Sequence, residues 1–118
     1  MKRVVITGMG TVNPLGNNVS DFWNGIVDNK IGFSFIDKFD SSRTGVSVAG
    51  TIKNFNEEDY YNDPLCFDKK ESRRMDRFTK LALVSTSEAL KDCGTDFKDI
   101  NPYRAGVIIG CGIGGLEL

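Results

Sequence analysis

The sequence has no histidine at all among its 118 residues. Without imidazole, no Ser-His-Asp or Cys-His relay can be assembled from this chain alone, and no His-containing zinc site can form. Cysteine is scarce: Cys66, Cys93 and Cys111 are scattered, odd in number and never paired as Cys-x-x-Cys. Such a set is neither a disulfide framework nor a metal cluster, and the expected state is reduced, mostly buried thiols in a cytoplasmic protein. Long apolar runs are missing too. Val4-Val5-Ile6 after Met-Lys-Arg is too short for a signal-peptide core, and nothing approaches the ~20 apolar residues of a membrane span. Charge of one sign is also lacking. With 15 Lys+Arg against 16 Asp+Glu the net charge is −1, so overall electrostatics favours neither nucleic acid nor membrane as a partner.

Glycine is plentiful, at 13 residues, and marks turns or close backbone approach. Lys2 to Thr7 is β-branched and not alternating, which predicts a strand covered on both faces. Gly8-Met9-Gly10 ends it, and Thr11 to Gly16 is turn-rich. Asn18 or Ser20 then caps a helix whose Phe22, Trp23, Ile26 and Val27 form one apolar face. Residues 33–45 have no period and read as loop. Val46 to Lys53 reads as a second strand, and Asn56-Glu57-Glu58-Asp59 as a short capped helix. Asn62-Asp63-Pro64 is a turn. The spacing predicts one long helix from about Lys70 to Cys93, closed by Gly94. Its second half is apolar or small nearly all round and is expected to be buried, with Ala82, Ser85 and Ala89 admitting another backbone. Gly106 to Gly110 is a third buried strand. The pattern is α/β with an incomplete sheet. Two strands that want cover on both faces, and a stop just after a glycine-rich strand exit, lead to the expectation of a fragment or of a chain that needs a partner.

Three motifs carry candidate chemistry. Gly110-x-Gly112-x-x-Gly115 matches the dinucleotide fingerprint in letters only, because neither a following helix nor an acidic residue ~20 positions on is present. Tight packing is the favoured reading, and a nucleotide should give no thermal shift. Cys111 lies between two glycines but has no base to activate it, and reads as a packing residue. Lys70, Arg73, Arg74 and Arg77 stand at i, i+3, i+4 and i+7, which predicts a purely basic helix face. Taken alone, such a stripe is either a solvated face or a dock for an acidic partner or a phosphate group.

Several segments, taken together and in order, resemble the N-terminal part of the beta-ketoacyl-acyl-carrier-protein synthases, most closely the synthase II branch of bacterial fatty-acid elongation. They are Arg3-Val4-Val5-Ile6-Thr7-Gly8-Met9-Gly10, Asn13-Pro14-Leu15-Gly16, Phe39-Asp40-Ser41, Lys70 to Phe78, and Gly106 to Leu116. The resemblance implies a thiolase-like layered fold, of which 1–118 would be the N-terminal portion, and usually a homodimer. It also implies decarboxylative Claisen condensation of acyl and malonyl thioesters held on acyl carrier protein, without metal, nucleotide or other cofactor. In that family the acyl-accepting Cys and two assisting His lie downstream of the Gly-Ile-Gly-Gly-Leu segment, and members run about three to four times this length. No catalytic residue is therefore expected here, and condensation by these residues alone is not. The resemblance assigns Lys70, Arg73 and Arg74 to carrier-protein contact, with Arg77 joining by geometry, and Ile113 to the acyl pocket. Other readings kept open are a stand-alone binding module for an acidic protein and a polyketide-type condensing enzyme fragment.

Overall fold

A computed structural model describes residues 2–116. In chain order the elements are α1 (Val19–Val27), β1 (Phe33–Phe35), β2 (Val48–Gly50), a 3-10 turn (Glu57–Tyr60), α2 (Lys69–Ser72), α3 (Arg77–Cys93) and a second 3-10 turn (Pro102–Arg104). The architecture is α/β, with β1 and β2 forming a two-stranded antiparallel sheet.

α1 starts where expected: the Asn18 side chain accepts from the Asp21 N–H. The Asn13 carboxamide accepts from the Leu15 N–H and the chain reverses between Asn13 and Gly16, which forms the expected turn ahead of that helix. The apolar face of α1, however, is not covered. Trp23, Ile26 and Val27 are exposed, and the residue α1 buries is Gly25, against Leu15. Position 33–35 is a strand rather than loop. Phe33 pairs with Gly50 and Phe35 with Val48, because two aromatic residues flanking Ser34 suit a pleated edge although the run is too short to show a period. The expected second strand, Val46 to Lys53, shortens to its middle three residues.

The other two expected strands do not form. Lys2 to Thr7 and Gly106 to Gly110 run without sheet pairing, and their apolar side chains stand in the open: Val4 is 94% and Ile108 100% exposed. A parallel strand exists only through its neighbours' hydrogen bonds, and among the described residues no strand pairs with either segment. The result is an open chain. Its radius of gyration is 17.1 Å against about 13.5 Å for a compact chain of this length. Phe67 and Val84, at 2% and 4% exposure, are the fully buried apolar side chains among the described residues.

α3 is the spine. Its second half is half-buried rather than buried, with Val84 and Ser87 turned fully inward. The small residues Ser85 and Ala89 do admit a backbone: Gly8 and Gly10 pass so close that a Cβ on either would strike the carbonyl oxygens of Ala89 and Ser85. Two acids on α3 fasten that crossing. Asp92 accepts from the Met9 N–H at 2.9 Å and Glu88 from the Thr11 N–H at 2.9 Å. The spacings match, since four residues of helix rise about 6 Å and two residues of extended chain about 6.6 Å. Glu88 also accepts from the Val19 N–H, at the start of α1. Gly94, at φ 66°, closes α3 in the left-handed conformation that glycine adopts without strain.

Candidate functional site

The long helix expected over 70–93 is two helices, and the basic stripe is distributed across the break. Asp68 and Glu71 form a reciprocal capping box that starts α2. α2 ends after one turn through tight bonds from the Arg74 and Met75 N–H groups to Glu71 and Ser72. Asp76 then takes extended backbone and α3 begins at Arg77. A continuous helix would have set Lys70 against Arg74 and Arg73 against Arg77, both unfavourable like-charge pairs one turn apart. The break relieves this. Lys70 lies in α2, Arg73 caps its C-terminus, Arg74 occupies the turn, and Arg77 opens α3.

The four cations are thus not one helix face. Lys70, Arg73 and Arg74 remain an exposed group with Lys69, and none of these forms an ion pair among the described residues. Arg77 departs from them: it is half-buried, its guanidinium 5.5 Å from the Phe55 ring centroid, and Phe55 in turn stacks on Tyr60. Lys80, sixth of the basic residues from 68 to 80, is withdrawn altogether. Its ammonium donates to both oxygens of Glu57 at 2.8 and 2.9 Å. The buried Ser72 hydroxyl donates to the same carboxylate.

A second carboxylate braces the segment before α2. Asp63 accepts from the buried Ser87 hydroxyl at 2.7 Å, from Lys91, from the Leu65 N–H at 3.0 Å and from the Cys66 thiol at 3.4 Å. Burial alone pushes the Asp63 carboxyl up. The hydrogen bonds from Lys91, Ser87, Leu65 and Cys66 outweigh it, and the group stays well below the ordinary 3.8. Lys80 and then Ser72 hold Glu57 below its ordinary 4.5 in the same way. Both carboxylates are lowered in the folded chain, so their stabilisation is full above their ordinary pKa values. It is lost as pH falls through the lowered ones. The melting temperature is therefore expected to drop from about pH 4.5 downward. Asp63→Asn should flatten that acid limb when melting is followed by circular dichroism between pH 7 and pH 2.5. An unchanged limb would remove Asp63 from the account.

The cysteines divide. Cys66 and Cys93 are partly buried, whereas Cys111 is exposed, against the packing role expected of it. Burial pushes the Cys66 thiol up, away from reactivity. The Cys111 sulfur accepts from the Gly114 N–H at 3.1 Å in a bend that does not open a helix among the described residues. Ile113 is exposed. The backbone at Gly115 nevertheless lies against the Asp76 side chain, which brings the Ile113 segment to the α2–α3 junction that carries the basic residues. An apolar cleft of about 810 Å³ runs between Gly8–Thr11 and the Val19, Phe22 and Trp23 side of α1.

Sequence reasoning missed Glu57, Asp63 and the two serines that answer them, because each pairing spans 15 or more residues and no local pattern encodes it. The Asp68-x-x-Glu71 box was readable, and would have placed a helix start there.

Comparison with known proteins fits this arrangement to a family. The chain is 47% identical over 116 residues to the 3-oxoacyl-acyl-carrier-protein synthase 2 of Staphylococcus aureus strain N315, covering 98% of this chain and 27% of that protein. It is 36% identical over 117 residues to the synthase of the same name from Synechocystis, covering 99% of this chain and again 27% of the relative. The chain thus spans about a quarter of the length of these relatives. Residues 1–117 match the family described as beta-ketoacyl synthase, N-terminal domain, and the chain belongs to that family.

Proposed function

We propose that residues 1–118 form the N-terminal portion of a beta-ketoacyl synthase domain with a thiolase-like layered fold. The whole protein is a cytoplasmic, homodimeric 3-oxoacyl-acyl-carrier-protein synthase of fatty-acid elongation. The match of nearly the whole chain to synthases of that name carries the reading. The uncovered faces of Val4 to Ile6 and Val107 to Ile109 agree with it, since a longer polypeptide would supply the sheet that these segments need. Among the described residues no helix is long and apolar enough to cross a membrane.

The part this chain plays is recognition. Condensation needs a nucleophile and groups that stabilise a developing oxyanion. The chain holds no His, and the resemblance places the acyl-accepting Cys and both His downstream of the Gly-Ile-Gly-Gly-Leu segment, so those groups come from the rest of the protein. The exposed cluster of Lys70, Arg73 and Arg74 supplies forked donors and positive charge to acidic acyl carrier protein, and Arg77 supports it from the start of α3. Ile113 contributes to the wall of the acyl pocket once the remaining polypeptide closes around it, an apolar surface suited to a fatty chain.

The test compares two polypeptides, these 118 residues and the longer product of the gene that contains them. Each is mixed with acyl- and malonyl-acyl-carrier protein. Ketoacyl product and carbon dioxide are expected from the longer one only. Product from the short chain, or none from either, overturns the proposal.

A further inference from the structure

The cations proposed to dock acyl carrier protein sit on a junction of two helices, and one carboxylate holds both sides of that junction. Glu57, in the turn after Asn56, accepts from the Ser72 hydroxyl and bidentately from the Lys80 ammonium. Ser72 is the last residue of α2 and 3% exposed; Lys80 is in the first turn of α3, with its side chain 12% exposed. Arg73 and Arg74 lie between these two anchors and form no ion pair among the described residues. The same segment grips the junction a second time, through Phe55 beneath the Arg77 guanidinium. A one-turn helix has too few internal bonds to keep its own direction, so its orientation comes from such outside contacts.

Resting on the docking reading, we infer that Glu57 is a positioning residue for the carrier-protein face: through Ser72 and Lys80 it sets the angle between α2 and α3, and so where Arg73 and Arg74 point. Lys80 belongs to this brace and not to the face. Glu57 itself never touches the partner.

Charge counting and positioning predict opposite signs. Glu57→Gln removes a negative charge beside the basic cluster and frees the Lys80 ammonium, so electrostatics alone would tighten an acidic partner. Loosening the junction would weaken it. The experiment uses the full-length protein that contains this chain, with fluorescently labelled holo-acyl-carrier protein as the probe. Glu57→Gln is expected to raise Kd roughly threefold to tenfold. Ser72→Ala changes no charge, leaves the Glu57–Lys80 pair in place, and is expected to act in the same direction. It carries the test if Glu57→Gln melts early. The loss should fall on KM for carrier-bound substrate and not on kcat, which a general loosening would lower as well. In an Arg73→Ala/Arg74→Ala background neither change should weaken binding further.

Unchanged or tighter binding by both Glu57→Gln and Ser72→Ala, while Arg73→Ala/Arg74→Ala still weakens it, overturns the positioning role alone. If the arginine variant also binds as the parent does, the docking reading fails and the positioning role falls with it.

Discussion

Arg73→Glu/Arg74→Glu in the full-length protein is expected to raise KM for acyl-carrier-protein substrates about 30- to 150-fold, with kcat nearly unchanged. The size follows from what the two side chains do in the free protein. Both are exposed, and neither is engaged by an ion pair among the described residues, so neither loses a partner when it meets an acidic surface. Reversal costs more than truncation, because it places like charges face to face across the contact. Two such juxtapositions at a solvent-exposed interface amount to about 2–3 kcal/mol. The effect is electrostatic, so raising the salt should weaken the parent and shrink its advantage over the variant, as the screening length falls from ~10 Å at 0.1 M toward ~3 Å at 1 M. Arg77 should matter less, since its guanidinium is already committed over Phe55. A KM for the double reversal within threefold of the parent's would remove these residues from carrier-protein recognition.

Residues whose partners lie nearby in sequence were legible, and those whose partners lie far off were not. Asn18 caps α1 and Asn56 caps the 3-10 turn at Glu57–Tyr60, each side chain accepting from a nearby backbone N–H, and Gly94 closes α3 in the left-handed conformation; residue type alone predicts all three. The small residues Ser85 and Ala89 were recognisable as a site of close backbone approach, and the structure sets Gly8 and Gly10, read as a strand end, against them. The strands failed for the opposite reason. Val4 to Ile6 and Val107 to Ile109 carry the β-branched pattern from which buried parallel strands are expected, yet such a pattern does not supply the partner. The basic stripe failed through periodicity itself. A regular i, i+3, i+4, i+7 pattern assumes an unbroken helix, whereas Asp76 takes extended backbone and α3 starts after it without a side-chain cap bond. The docking role proposed for these residues does not rest on a shared helical phase, because exposure and charge are what an acidic partner meets.

Glu88→Ala should have the largest effect on the local fold, because one carboxylate there ties three elements together. From α3, one of its oxygens accepts from the Thr11 N–H at 2.9 Å and the other from the Val19 N–H at 2.8 Å. The first bond fixes the crossing of the Gly8–Thr11 segment over α3. The second places a negative group at the start of α1, where the unpaired helical N–H groups favour it. Truncation leaves two partly buried N–H donors without acceptors, and hydrogen bonds to a charged group are worth about 1.5–3 kcal/mol each. A loss of about 3 kcal/mol is expected, which amide exchange would register as a fall of about 100-fold in protection at Thr11 and Val19. Glu88→Gln should recover part of this, since its carbonyl still serves one donor while its NH₂ opposes the other. Asp92→Asn should cost less than Glu88→Ala, because the Met9 bond it perturbs is single and exposed. Unaltered exchange at Thr11 and Val19 in Glu88→Ala would mean that the glycine crossing is held by packing against Ser85 and Ala89 alone, and that α1 is anchored by Gly25 on Leu15 rather than by its first N–H.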